Sequence, residues 1–496
     1  MRFTVLSHAG LLIEHGGKQL LCDPWLVGSA YWRSWWNYPP VDPALLEGLK
    51  PDFILLTHLH WDHFHGPSLR RFPRTTPIVI PKDHFTRMRD DLRAMRFDNI
   101  IEMPHGSSLE LGPGLRVSSY HFLPTTDSAL VFEAGRHVLL NANDCKLMGP
   151  PLAQLLRRHP RVDFLLRSHS SANDRLCYEF TDAANVSADD LSRYGELFCA
   201  FVAAVRPRYA IPFASNHCHL HPDTSPFNLH IQTPAAVEQE FLAYQARHPD
   251  LPTELKTMVS GDSWDEQAGF RLQRHDFFAD RFRHLARYRA QVQDRLAETA
   301  AREARVEVRL EQVQAYFAKF TRAVPWPLRR AFRGTPLLFA LKSGDDTRYF
   351  RYDLPAGKVA AVPDYPAQER VLGFCTSAAL FQHAMRSRMF AHLGISKRVV
   401  YRVQKRDLKR MQLFNLLLKL YEYELIPLHR LWRWRLLEAY ARRWREALLY
   451  LAIGVDVLLR GVDPMEIEQR YLQQDPSGRR TRKALPPPVT EVPGLR

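Results

Sequence analysis

Four potential metal ligands fall within six residues, His58, His60, Asp62 and His63, in the run Thr57-His58-Leu59-His60-Trp61-Asp62-His63. Imidazoles offer neutral nitrogen donors and the carboxylate a hard anionic oxygen, a mixture that suits zinc, manganese or iron. Spacings of two, two and one let the side chains splay toward two adjacent metals from a loop, which a regular strand or helix would not allow. Two such ions would polarise an anionic substrate and generate hydroxide near neutral pH. A lone histidine is usually structural. Four such ligands on one turn read as a metal site.

The elements that must hold this turn are short. Phe53–Leu56 is a compact apolar run bounded by Pro51-Asp52 and by the histidines, the pattern of a buried strand. Phe3–Leu6, Leu11–Glu14 and Gln19–Cys22, separated by glycines, open a meander. Further strands are expected at Pro77–Pro81, Leu115–Ser119, Ala129–Glu133, His137–Asn141, Val162–Arg167 and Tyr209–Phe213, with helices near 151–158 and 189–205. Strands interleaved with helices imply an α/β layered domain over residues 1–270. From about Phe277 the pattern turns helical (278–317, 376–391, 405–424, 428–459), with a small β section at 337–362. A mostly helical domain over 271–472 and a disordered tail over 473–496 are expected.

The run His58 to His63 matches in full the H-x-H-x-D-H signature of the metallo-β-lactamase superfamily, which it therefore resembles. That resemblance implies an αββα sandwich whose remaining ligands arrive on later strand-end loops. It places His121 at the third motif and Asp144, in Asn141-Ala142-Asn143-Asp144-Cys145, as the bridging carboxylate. The last ligand falls in Asn216-His217-Cys218-His219-Leu220-His221-Pro222; His217 is nearest the strand end, with His221 next. His8, His169 and His219 are candidate substrate contacts. Asp62 could also orient the attacking water or take its proton. Two divalent ions are implied, zinc first, with manganese or iron possible.

His8-Ala9-Gly10-Leu11-Leu12 and Cys22-Asp23-Pro24-Trp25-Leu26 resemble the UlaG-like and phospholipase D-like branch. Asp23 to Gly28, Trp35-Trp36, Asn141 to Cys145 and Ile211 to Ala214 are similar to the lactamase-fold portion of CMP-N-acetylneuraminate hydroxylases. Those enzymes add a Rieske module held by a C-x-H and a C-x-x-H pair. Cys218 and His221 have the second spacing, but no cysteine here has a histidine two residues on, so a Rieske centre is not expected in this chain.

The net charge of +15 is unevenly placed. Residues 271–496 hold 43 basic and 23 acidic side chains, whereas residues 1–270 hold 25 and 30. A basic second half suits an anionic partner, such as a membrane surface, or a merely solvated face. Arg430, Arg433, Arg435, Arg442, Arg443 and Arg445 alternate with Trp432, Trp434 and Trp444 on an expected helix. An ordinary amphipathic helix with the tryptophans turned to the core is the first reading, a membrane surface the second. Trp25, Trp32, Trp35, Trp36 and Tyr38 either wall a cleft or pack under the sandwich edge. Six scattered cysteines and the lack of an apolar segment long enough to span a bilayer fit a cytoplasmic location.

Three functions remain open. The first is a di-metal hydrolase acting on a phosphodiester or other small-molecule or lipid-like anionic ester. The second is a di-iron or Rieske-partnered oxygenase component acting on a nucleotide sugar or similar metabolite. The third is a membrane- or nucleic-acid-binding protein with a secondary metal site. Nucleic acid is the less favoured partner, because lactamase-fold nucleases carry an inserted domain and none is seen before residue 230.

Overall fold

Apolar alternation in the first 270 residues resolves into two sheets packed face to face. The structure, a computed structural model, describes residues 1–473 apart from 123–126, 171, 173, 186–192, 274–275, 366–369, 459 and 461. The expected disordered tail thus lies almost wholly outside the described residues.

Among the described residues the first sheet has eight strands, ordered Gly269–Arg271, Ser263–Asp265, Arg2–Val5, Leu11–His15, Lys18–Cys22, Phe53–Leu55, Ile78–Pro81 and Ile100–Met103. The second has seven, ordered Glu254–Leu255, Tyr209–Pro212, Phe164–Arg167, His137–Asn143, Asp127–Ala134, Leu115–Phe122 and Ser108–Gly112. Phe3, Val5 and Ile13 from one sheet meet Val117, Phe132 and Leu139 from the other in a closed apolar layer. Each such buried side chain contributes about 1.5–3 kcal/mol relative to exposure. The outer faces are apolar as well. Leu21 and Ile54 pack on Leu69 and Leu92 of the helices Gly66–Leu69 and Arg87–Ala94. Leu140 and Leu165 pack on Leu155 and Phe201 of Gly149–Arg158 and Arg193–Val205. The outcome is the four-layer αββα sandwich.

The second half is more strongly β than its sequence suggests. Five of its strands, Leu337–Ser343, Asp346–Asp353, Lys358–Val362, Leu372–Ser377 and Val399–Val403, form a sheet closed at one edge by Tyr178–Phe180 from the first half. That strand pairs in parallel with Val399–Val403. Phe317, Phe339, Phe374, Phe381 and Phe414 fill the core between this sheet and its helices. The stretch 278–317 divides into Arg281–Gln291, Gln293–Glu303 and the start of Leu310–Ala323. The last helices return to the sandwich: Trp444–Leu458 lies on Gly149–Arg158, and Pro464–Gln473 on Arg193–Val205. Arg167 pairs with Glu468 at 2.5 Å, both buried, which fastens the two halves together.

The stretch 428–459 is three pieces, Leu428–Trp432, Trp434–Arg442 and Trp444–Leu458, because Arg433 and Arg443 leave helical geometry. Its tryptophans are not turned to the core. Trp432, Trp434 and Trp444 are 76%, 78% and 56% exposed.

Candidate metal centre

The strand Phe53–Leu55 ends against Asp23, whose carboxylate accepts from Thr57 N at 2.8 Å and Thr57 Oγ1 at 2.6 Å. Beyond it the chain turns tightly, with His63 N and Phe64 N both donating to the His60 carbonyl. This turn aims His58, His60, Asp62 and His63 into one buried space. Asp144 enters from the end of His137–Asn143, its N–H held by Asn143 Oδ1 at 2.6 Å. Asp23 and Asn143, on either side of the centre, both adopt positive φ (41° and 38°), a conformation that Asp and Asn tolerate better than most residues.

Three overlapping groups have their ligand atoms within 4.8 Å of one another: His8, Asp62 and His63; His58, His63 and Asp144; His58, His60 and Asp127. They form a continuous chain of donors, with His58, His63 and Asp144 as its middle group. Five of the seven ligands expected from the sequence therefore meet: His58, His60, Asp62, His63 and Asp144. His8, expected to touch substrate, stands instead with the donors, its Nε2 3.1 Å from Asp62 Oδ2.

His121 is not among them. Its Nε2 meets Ser119 Oγ at 3.0 Å, its N–H donates to His105 Nδ1, and Arg443 binds its carbonyl. Asp127, on the partner strand of the same hairpin, reaches His58 and His60 in its place. His217 lies at the edge of the centre, on the strand His217–His219. Its ring stacks on Trp35 (3.6 Å, 4°), and its centroid is 5.5 Å from that of His8. His169 is buried, and its ring nitrogens find no hydrogen-bond partner among the described residues. His219 stands behind Trp35, bonded to Ser34 Oγ at 3.1 Å, away from the donors. Of the loop aromatics, Trp25, Trp35 and Trp36 are buried, and Trp35 also walls the cavity above the centre.

Electrostatics fit a cation. Burial, with His63 beside it, takes His58 down to about 4. Burial and His58 do the same to His60. Both rings are neutral at pH 7, the form that gives a lone pair to a metal. His63 differs: burial opposes its charge, yet Asp62 and Asp23 push it well above the usual imidazole range. Burial also opposes ionisation of Asp62 and Asp144, but His63 keeps both carboxyls below their usual range. His63 thus faces carboxylates, the surroundings a divalent ion would meet. Its Nε2 has no hydrogen-bond partner among the described residues and lies 3.5 Å from Asp62 Oδ2 and 3.4 Å from Asp144 Oδ2. Its other nitrogen stands 2.8 Å from Asp23 Oδ2. A carboxylate behind a ligating histidine fixes its orientation and raises its basicity.

Asp23 and Asp127 were not expected in these positions from sequence, and neither were two residues beside them. Tyr31 OH donates to Asp62 Oδ1 at 2.5 Å. His392, from the second half, packs its buried ring 5.6 Å from that of His60 and 4.6 Å from that of Trp61. The cavity above the donors holds about 420 Å3 and is walled by both halves of the chain. His60, Asp127 and Asp144 line it together with Phe390, Ile395 and Leu416. Outside the metal cluster its charged groups are Lys146, Arg167 and Lys419 against Asp174 and Glu468.

Residues 18–225 match the family described as beta-lactamase superfamily domain. The cytidine monophosphate-N-acetylneuraminic acid hydroxylase of Cricetulus griseus is 30% identical over 158 residues, covering 29% of this chain and 27% of that protein. A Mycobacterium tuberculosis protein named for a Rieske 2Fe-2S iron–sulfur centre is 27% identical over 243 residues, covering 46% of each chain. The match thus spans less than half the length of either relative. Among solved structures, the isothiocyanate hydrolase from Delia radicum gut bacteria superposes on 53% of this chain and 99% of its own, with 16% identity and a TM-score of 0.37.

Proposed function

The chain carries a beta-lactamase superfamily domain, and from that premise we propose that it is a di-metal hydrolase of small anionic esters, phosphodiesters first among them. The observation that carries this reading is the cluster of donors, of which His60, Asp127 and Asp144 line a cavity sized for a small molecule. The fold implies divalent metal binding, and the residues fit it: His58, His60 and Asp127 would hold one ion, Asp62, His63 and His8 the other, with Asp144 between. When bound, such ions polarise an ester oxygen and bring the pKa of water toward neutrality.

The remaining work falls to the protein's own side chains. Tyr31 donates to one oxygen of Asp62 and holds that carboxylate in one orientation. Asp62, kept ionised, is the group placed to orient the attacking water and accept its proton. Lys146 and Lys419 are the cations that meet the anionic part of the substrate, while Arg167 is engaged with Glu468. Phe390, Ile395 and Leu416 cover the cavity from the second half, limit entry of bulk water and strengthen each of these electrostatic contacts. A cavity of this size suits a small molecule, not a polymer.

The test is hydrolysis of bis-(p-nitrophenyl) phosphate by the metal-loaded chain. The reading expects turnover that is lost in His58→Ala and shows a raised KM in Lys419→Met. A loaded chain inert toward phosphodiesters and carboxylic esters alike would contradict it.

One observation favours a second reading. Asp127 gives the cluster a third carboxylate beside Asp62 and Asp144, and such an oxygen-rich set also suits iron. An oxygenase component, as the name of the hydroxylase relative suggests, would purify with iron and require a reductant. A hydrolase requires none.

A further inference from the structure

Exposed large apolar side chains are concentrated in one short part of the chain. Leu428, Trp432, Trp434, Leu437, Trp444, Leu448, Leu451 and Val455 all stand at least about a third exposed within 28 residues. On the helix Trp444–Leu458 they follow the helical repeat. Trp444, Leu448, Leu451 and Val455 are spaced by four, three and four, so they line one stripe. The opposite stripe, Leu449, Tyr450 and Ile453, is already packed on the sandwich. A helix of a water-soluble domain would carry polar residues on the face turned away. This helix is apolar on both. Trp434, Leu437 and Ala441 make a second exposed stripe on Trp434–Arg442.

The flanks of these stripes are basic. Residues 428–460 hold seven arginines against two glutamates and one aspartate, and Glu424 and Glu102 from outside the segment pair with Arg430, Arg433 and Arg435. Arg442 and Arg445 are exposed, and the Arg445 guanidinium lies 5.4 Å from the Trp444 ring centroid. Tryptophans with arginines around them match a surface that is apolar inside and anionic at its rim. The geometry also fixes how such a surface would be used. The helix is about 22 Å long, and no helix among the described residues is long and apolar enough to cross a membrane.

We propose that residues 428–455 are an interfacial surface by which the chain binds reversibly to anionic lipid bilayers, the helices lying in the headgroup plane with their tryptophan and leucine stripes immersed. The arginines supply the attraction to anionic headgroups, and the apolar stripes supply the retention. The surface lies apart from the metal cluster, so lipid binding does not depend on the catalytic reading.

The test is co-sedimentation of the full chain with vesicles of phosphatidylcholine alone or of phosphatidylcholine with phosphatidylglycerol. Binding is expected to the anionic vesicles and to weaken with salt. Trp432→Ala with Trp434→Ala is expected to weaken it about tenfold or more, and Arg442→Gln with Arg445→Gln several-fold. All four positions are solvent-exposed, and unchanged metal content and melting temperature would show that the variants are folded. A wild-type chain that stays in the supernatant with anionic vesicles overturns the proposal. So does equal binding by the tryptophan variant. A dimer in sedimentation equilibrium that falls to monomer in that variant, without lipid binding by the wild type, would assign the stripes to a second copy of the chain instead.

Discussion

Asp23 Oδ2 stands 2.8 Å from Nδ1 of His63, while the other oxygen of the same carboxylate accepts the Thr57 N–H. One buried side chain therefore fixes both the backbone of the histidine turn and the ring that faces the metals. Asp23→Asn keeps the shape and loses the charge. It is expected to lower metal affinity about 10–100-fold, read by competition against a chelator of known affinity. Unchanged affinity would mean that His63 needs no such support.

The choice between Asp127 and His121 can be separated cleanly. Asp127→Ala is expected to lose bound metal from the end of the cluster held by His58 and His60. His121→Ala is expected to keep the full complement, because the His121 ring meets Ser119 Oγ and stands outside the donor cluster. Elemental analysis of both variants decides it, and the reverse pattern would restore His121 as a ligand.

Glu422 gives a pH dependence. Its carboxylate accepts from Phe390 N and from Ala391 N, and burial raises it to about 7 from an ordinary value of 4.5. Between those values the folded chain keeps a proton that the unfolded chain has released. Stability from this group is therefore fully present below about pH 4.5, falls as pH rises, and is lost by about pH 7; the change is on the order of 3 kcal/mol. Glu422→Gln is expected to flatten this portion of the melting-temperature profile. A variant with the wild-type slope would assign the dependence elsewhere.

The ion pair between Arg167 and Glu468 is buried at the seam between the halves, with the guanidinium also 3.9 Å from the Phe201 ring centroid. Glu468→Gln leaves a buried cation without its counter-charge, which costs about 3–5 kcal/mol. The expected reading is a clear drop in melting temperature, larger than for the exposed pair partner Glu466 changed to Gln.

The histidine turn is legible in the sequence because four ligands follow one strand without an intervening element. The sandwich is legible for a related reason, since most of its strands are apolar runs bounded by Gly, Pro or Asp. Asp127 is harder to see. It sits at the start of an apolar strand, and only the hairpin register, which sets His121 against Ser128 and Phe122 against Asp127, decides which end reaches His58. His392 and Lys419 reach the site from more than 300 residues away in sequence, through packing between the halves that local patterns do not encode. The six-stranded sheet of the second half is similarly concealed. Its edge strand, Tyr178–Phe180, lies inside the first half and pairs with residues more than 200 positions later. The tryptophans of 432–444 alternate with arginines on a stretch that reads as one amphipathic helix, but breaks at Arg433 and Arg443 leave them in solvent.

The central claim is that the donors from His58 to Asp144 hold metal. The measurement is elemental analysis of the purified chain beside a His58→Ala, His60→Ala double variant. The account predicts about two divalent ions per chain in the wild type and a clear loss in the variant. No metal in either protein after reconstitution, or the same content in both, would contradict it.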